Sequence, residues 1–236
     1  MSRWFMAKAV QRIKRREEAL SRDHIIEAAI SLLDSNGEAG LTFRILSERL
    51  ATGPGAIYGY IANKSDLLTA SCDAIVAHTV ETCIVGDTPK KRIRSLALGI
   101  FDVIDAHPWV GSALLRAELD SPLVRILEPI GQQVRALGVP GKQQWASVAA
   151  LMSYILGVAG QNAANGQHAR LRGIDRSGFL EAMSKAWLQL DPQRYPFTRS
   201  VAKQLPAHDD RLDFLAGVDL ILKGIDSQRR LKRPRR

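Results

Sequence analysis

The sequence predicts an all-α protein in two parts, a small N-terminal bundle of three helices and a larger C-terminal helical body. Three observations carry that prediction. Apolar residues recur at helical spacing through most of the 236 residues, with almost no period-two alternation of β-branched side chains. Cap residues stand just ahead of the apolar runs, and prolines occupy first-turn positions where a missing N–H costs nothing. The stretch ATGPGAIYGYIANKSD, Ala51 to Asp66, breaks the pattern with two glycines around a proline, as a tight connector does.

Taken in order, Ser21 is the first N-cap. IIEAAISLLDSNG follows with Ile25, Ala28, Ala29, Leu32 and Leu33 on one face, and Gly37 stands where a left-handed residue ends a helix. Thr42 caps a short helix, FRILSERL, with Ile45, Leu46 and Leu50 inward. After the connector, KSDLLTASCDAIVAHTVETCI forms a longer helix capped by Asn63 or Ser65. Gly86-Asp87-Thr88-Pro89 is the expected domain boundary, with Thr88 the cap and Pro89 the first residue of KKRIRSLALGIFDVIDA, which stops at His107-Pro108. Ser121-Pro122 opens LVRILEPIGQQVRAL, and GVPG precedes a very apolar helix from about Lys142 to Ala164. The polar segment NGQHARLRGIDRSG is predicted as loop, then FLEAMSKAWLQL as helix to Asp191-Pro192, and a last helix from Asp209 or Asp210. There are no internal repeats.

A chain of this length buries roughly 70–75 % of its extended surface, and 46 % apolar with 24 % charged residues is ordinary globular composition. No run of about 18 apolar residues lacks charge, so no membrane span is expected. MSRWFMAKAVQRIKRR lacks the apolar centre of a secretory signal. Cys72 and Cys83 sit on one predicted helix, roughly 16 Å apart and too far for a disulfide, so reduced thiols in a cytoplasmic protein are expected. The five histidines show no HxxxH or HExxH spacing, and neither metal nor cofactor is predicted.

The net charge of +9 is concentrated at the ends. Residues 1–20 carry Arg3, Lys8, Arg12, Lys14, Arg15 and Arg16 against Glu17 and Glu18, a net of +4. Residues 227–236 carry Arg229, Arg230, Lys232, Arg233, Arg235 and Arg236, a net of +6, which leaves −1 for the body. Basic ends on a neutral body suit a polyanion such as nucleic acid.

Gly53, Gly55 and Gly59 loosely imitate a phosphate-cradling loop. Such loops follow a buried strand, whereas Gly53 follows LSERLA, a helix with charges on its outer face, and no GKS or GKT is present. The alternative uses every residue. Ala51-Thr52-Gly53 has the connector length of a helix-turn-helix, Gly53 caps, and Pro54 opens the second helix. Ile57 and Ile61 face the core, and Gly55, Ala56, Tyr58, Gly59 and Tyr60 stay outside, so the helix front can approach something large and flat, its free N–H groups aimed at phosphates.

Residues 21 to about 68 resemble the TetR family of bacterial transcriptional regulators. The resemblance rests on Ile25, Ala28, Ala29 and Leu32, then Thr42, Arg44, Leu46 and Leu50, then Tyr58, Tyr60, Ile61, Lys64, Leu67 and Leu68, at the family's spacing. Ala51 stands where the family usually has the turn glycine, Gly53 where a serine or threonine usually caps and touches phosphate, and Ser47 where a small alanine is usual. The resemblance implies that Thr42 and Arg44 contact the DNA backbone and that Gly53, Pro54, Gly55 and Ala56 enter the major groove. It further implies that Tyr58 and Tyr60 give hydroxyls to phosphates, that Tyr58 meets a thymine methyl, and that Lys64 binds phosphate. Residues 21–68 hold four basic against six acidic side chains, a net of −2, so the N-terminal arm is expected to add phosphate or minor-groove contacts.

Charge and the Gly86–Pro89 boundary give a basic arm over 1–20 and a basic disordered tail over 228–236. The resemblance implies that 21–85 is a DNA-binding domain with its helix-turn-helix at about 42–61 and a connecting helix, and by analogy that 86–227 is a ligand-binding and dimerisation domain. Trp145 to Gly160 is apolar nearly all round, and Leu212, Leu215, Val218, Ile221, Leu222 and Ile225 enrich the last helix. Two such helices from each subunit suit a four-helix dimer bundle reading a palindromic operator. Candidate effector-binding residues are Phe101, Ile104, His107, Trp109, Leu114, Met152, Tyr154, Phe179, Met183 and Trp187, whose character points to a small hydrophobic or aromatic ligand that releases a repressor from its operator. A helical enzyme or carrier with a vestigial DNA motif is the alternative, but no GxSxG, Walker loop or paired-carboxylate helix supports catalysis. A third reading takes residues 1–16 as a membrane-surface helix, and Met6 is a second candidate start.

Overall fold

A computed structural model describes residues 20–116 and 121–230, with side chains through Ser227. The expected basic arm, save Leu20, and the tail beyond Arg230 lie outside the described residues. Every regular element among the described residues is helical: α1 (Arg22–Gly40), α2 (Phe43–Arg49), α3 (Pro54–Tyr58), α4 (Lys64–Cys83), α5 (Pro89–Ala106), α6 (Pro108–Leu114), α7 (Leu123–Ala136), α8 (Gly141–Leu171), α9 (Arg176–Leu188), α10 (Pro196–Ala202) and α11 (Asp210–Arg230), with a 3-10 turn at Leu205–Ala207. None is long and apolar enough to cross a membrane.

Local chemistry sets the helix ends. Ser21 Oγ accepts from the His24 N–H, Thr42 Oγ1 from Ile45 and Thr88 Oγ1 from Lys91, each pairing one donor that the first turn leaves orphaned. Asn63 Oδ1 accepts from Asp66 N–H at 2.9 Å while Asp66 reaches back to Ala62 N–H at 2.8 Å. Gly37 takes φ +64 and breaks α1, as its sequence position anticipates, although one further turn closes at Gly40.

The chain divides into two compact units between Ser71 and Cys72, inside α4 and upstream of the Gly86–Pro89 loop. The second half of α4 belongs with the later helices because Cys83 and Thr79 lie against Gly99 of α5, and Asp73 takes a two-point ion pair from Arg125 of α7. The first unit packs α1 on α2 and α2 on α3 around Ile25, Leu33, Leu46, Ile57, Ile61 and Leu67, all fully buried and each adding about 1.5–3 kcal/mol relative to exposure.

In the second unit α8 is the central helix, packed by α5, α6, α7, α9 and α11. Helices α5 and α11 run antiparallel, joined by ion pairs Lys90–Asp226, Arg94–Asp219 and Asp102–Arg211. Partly exposed pairs contribute about 0–1 kcal/mol each, so the ladder sets register more than stability. Burial raises the Asp102 carboxyl above its ordinary range, and the nearby Arg211 pulls the other way.

Several extents differ from the sequence reading. The apolar helix continues through Asn165-Gly166 to Leu171, because Ala163 and Ala169 are buried and keep the segment docked. It stops at Gly173 (φ +66), where Ile174 N–H bonds Ala169 C=O and Gly173 N–H bonds Arg170 C=O, a Schellman ending. Helices α6 and α10 were not anticipated, although Pro108 and Pro196 mark their first turns. Helix α11 carries on through residues 228–230, three positions into the segment expected as tail.

Candidate functional site

The helix-turn-helix is built from α2, a turn and α3. Leu46 and Ile57 are fully buried and press the two helices together. Ser47, the departure from alanine, is buried but satisfied: its hydroxyl donates to Arg44 C=O at 2.8 Å. Between the helices, Thr52 N–H bonds Ser47 C=O at 3.0 Å and Ala51 N–H bonds Glu48 C=O at 3.2 Å. That places Ala51 at the left-handed residue of a Schellman ending, with φ +49, the one positive φ on a non-glycine among the described residues.

Gly53 is the N-cap of α3 with extended backbone and no side-chain cap, and Pro54 follows at the first turn. The second helix of the motif, expected to run to about residue 61, is shorter: α3 ends at Tyr58, and Tyr60 and Ile61 both turn back to Ile57 C=O. One N–H counted as free for a phosphate is engaged, since Ala56 N–H bonds Gly53 C=O at 3.0 Å. Gly53, Pro54, Gly55, Ala56, Tyr58 and Tyr60 are all exposed on one connected surface, with Thr42 and Arg44 exposed at the start of α2. A Cβ added at Gly53 or Gly55 meets nothing within 4 Å.

Two side chains of this surface have neighbours that spacing did not show. Arg44 lies 3.7 Å from Glu48, one turn on, a pairing that screens its charge. Lys64 Nζ donates to Glu38 C=O at 2.7 Å, tying the start of α4 to the end of α1 and leaving two ammonium protons. Phe43 was missed altogether. Its ring stacks on Tyr58 with centroids 4.6 Å apart and planes 4° from parallel, a contact between residues that no local periodicity relates.

Of the effector candidates in the second unit, Phe101, Ile104, Trp109, Leu114 and Met152 are buried core residues. Phe101 and Tyr154 flank Phe214, with centroids 4.7 and 5.7 Å from it. Tyr154 donates its hydroxyl to Phe214 C=O at 3.1 Å, and burial raises its phenol above the ordinary value. Phe179, Met183 and Trp187 are half-buried on α9, and half-buried His107 joins α5 to α6 with its ring edge-on to Trp109. A cavity of about 390 Å3 is lined instead by Asp105, Asn162, Arg170, Asp175, Arg176 and Asp210, together with Gly166, Ala169 and Ile174. An adjoining one of similar size adds Asp102, Asp209 and Arg211, and Phe101 is the single effector candidate in either lining. The sequence signal for this cleft was weak, since its residues are scattered from 101 to 211.

Among the described residues no cluster of His, Cys, Asp and Glu suits a metal ion. No protein-family model matches the chain. A solved transcriptional regulator of Streptomyces coelicolor, described as a TetR, is similar at 49 % identity and a TM-score of 0.79, covering 89 % of this chain and 99 % of that one. The HTH-type transcriptional repressor DrrR1 of Streptomyces coeruleorubidus is 24 % identical over 215 residues, 88 % of this chain and 77 % of that protein. ActR of Streptomyces coelicolor, solved in complex with actinorhodin, shares the fold at a TM-score of 0.67 and 19 % identity, over 87 % of this chain and 96 % of that one.

Proposed function

This chain belongs to the TetR family of transcriptional regulators, and from that premise we propose that it is a homodimeric, cytoplasmic repressor that leaves a palindromic operator when a small ligand binds its second unit. The observation that carries the DNA-binding half is the surface of Gly53, Pro54, Gly55, Ala56, Tyr58 and Tyr60, exposed on a turn and short helix whose inner face is locked by Leu46 and Ile57. Small side chains admit the duplex closely, and rigid support keeps the contacts in register. Thr42, Arg44 and Lys64 position the backbone.

Exposed apolar residues support the dimer. Trp145 on α8 is 69 % exposed, and Leu212 and Leu220 on α11 are 66 % and 68 % exposed. Around them lie Ala146, Ala150, Ser153 and Gly157 on α8, and Ala216 and Gly224 on α11, all exposed. Two packed helices with small and apolar outer residues suit a four-helix interface with a second copy. The aromatic group Phe101, Tyr154 and Phe214 supports a hydrophobic or aromatic effector that inserts by repacking the core. A ligand favouring a different arrangement of the pair weakens operator binding by the same coupling free energy, typically about 1–3 kcal/mol.

The deciding experiment is a footprint by the full chain on the DNA flanking its own gene across a salt series, repeated with candidate ligands. Sequence-selective protection that fades with salt is expected. Indifference to every duplex at low salt overturns the proposal, as does a mass of one chain in light scattering.

A further inference from the structure

We propose that Phe43 is a positioning residue for DNA recognition, its ring clamping that of Tyr58 so that the Tyr58 hydroxyl is held ready for the duplex. The inference rests on the reading of Tyr58 as a DNA contact. The observation behind it is the stack of the two rings, 4.6 Å between centroids with planes 4° from parallel.

Phe43 is itself well anchored. It is the first residue of α2, behind the Thr42 cap, and half-buried. Tyr58 is the last residue of the five-residue α3 and is 57 % exposed, with no hydrogen bond to its hydroxyl among the described residues. A tyrosine so placed has little else to hold it and would sample several χ1 wells. Aromatic pairs at this separation attract beyond simple burial, so Phe43 keeps the ring in one orientation before DNA arrives and spares the cost of ordering it on binding. With one π-face covered, Tyr58 meets the duplex with its hydroxyl and its open face.

The test is a double-mutant cycle on the full chain, read by fluorescence anisotropy against a duplex that the wild-type chain recovers from a randomised pool. Phe43→Leu removes the stack and keeps apolar bulk, Phe43→Tyr preserves the stack, and Tyr58→Phe removes the hydroxyl and keeps both rings. Phe43→Leu should weaken binding about three- to tenfold, a span set by the strength of aromatic pairs. Phe43→Tyr should restore it to within about twofold, and Phe43→Leu should cost less than about twofold in the Tyr58→Phe background. If Phe43→Leu unfolds the first unit by circular dichroism, Phe43→Met takes its place. Equal losses in both backgrounds, or no loss in either, overturn the clamp while Tyr58→Phe alone stays weakened. Wild-type affinity for Tyr58→Phe alone overturns the premise about Tyr58 and the clamp with it.

Discussion

Ala51→Gly should make this protein more stable, an unusual outcome for removing a side chain. Ala51 sits at φ +49, where its Cβ crowds the backbone at a cost of roughly 1–2 kcal/mol. Glycine relieves that strain but gives back about 0.5–1 kcal/mol in freedom of the unfolded chain. The net expected gain is therefore about 0–1.5 kcal/mol, up to roughly 6 °C in Tm for a chain of this size. The hydrogen bonds of the ending, Thr52 N–H to Ser47 C=O and Ala51 N–H to Glu48 C=O, involve backbone only and survive the change. Urea unfolding at constant temperature, followed by circular dichroism and fitted with a separate transition for each unit, measures the shift. Ala51→Val is the paired control, because a β-branched residue suits a left-handed position worse than alanine. Destabilisation by Ala51→Gly, or a neutral Ala51→Val, refutes the reasoning.

Gly53→Ser should add a capping hydroxyl at a position with open space and tighten operator binding about two- to tenfold, one net hydrogen bond's contribution, measured by anisotropy. Gly217→Ala should lower stability by about 1–3 kcal/mol in a urea titration, because the added Cβ would lie 1.9 Å from the Tyr154 hydroxyl and 2.3 Å from Cζ; combining it with Tyr154→Leu should recover most of the loss. Burial pushes the Cys72 thiol up to about 12 from 9.0. Since its folded pKa is raised, its contribution to stability is full below pH 9.0 and is lost as pH climbs toward about 12. Cys72→Ala should flatten that alkaline decline, and in native protein alkylation read by mass spectrometry should spare Cys72. Deleting residues 1–19 should lessen the slope of log K against log salt by about 0.9 for each phosphate contact removed, and an unchanged slope rules out a DNA-contacting arm.

The sequence by itself determined whatever depends on neighbours a few residues apart. Ser21, Thr42, Thr88 and Asn63 cap the helices they precede, Gly37 breaks α1, and Ile57 and Ile61 bury themselves on the inner side of the turn. A cap is one hydrogen bond across three residues and an apolar stripe is one face of one helix, so both are written in local spacing. The family resemblance of the helix-turn-helix is legible for the same reason. Tertiary structure alone decided the rest. Helix α8 runs past Asn165-Gly166 because buried Ala163 and Ala169 outweigh the local preference for a loop. Phe43 meets Tyr58, Tyr154 fills the space left by Gly217, and Asp226 finds Lys90 because the chain returns to itself after long separations. Such contacts are chosen by how whole helices pack, and the spacing within any one helix does not pair the partners.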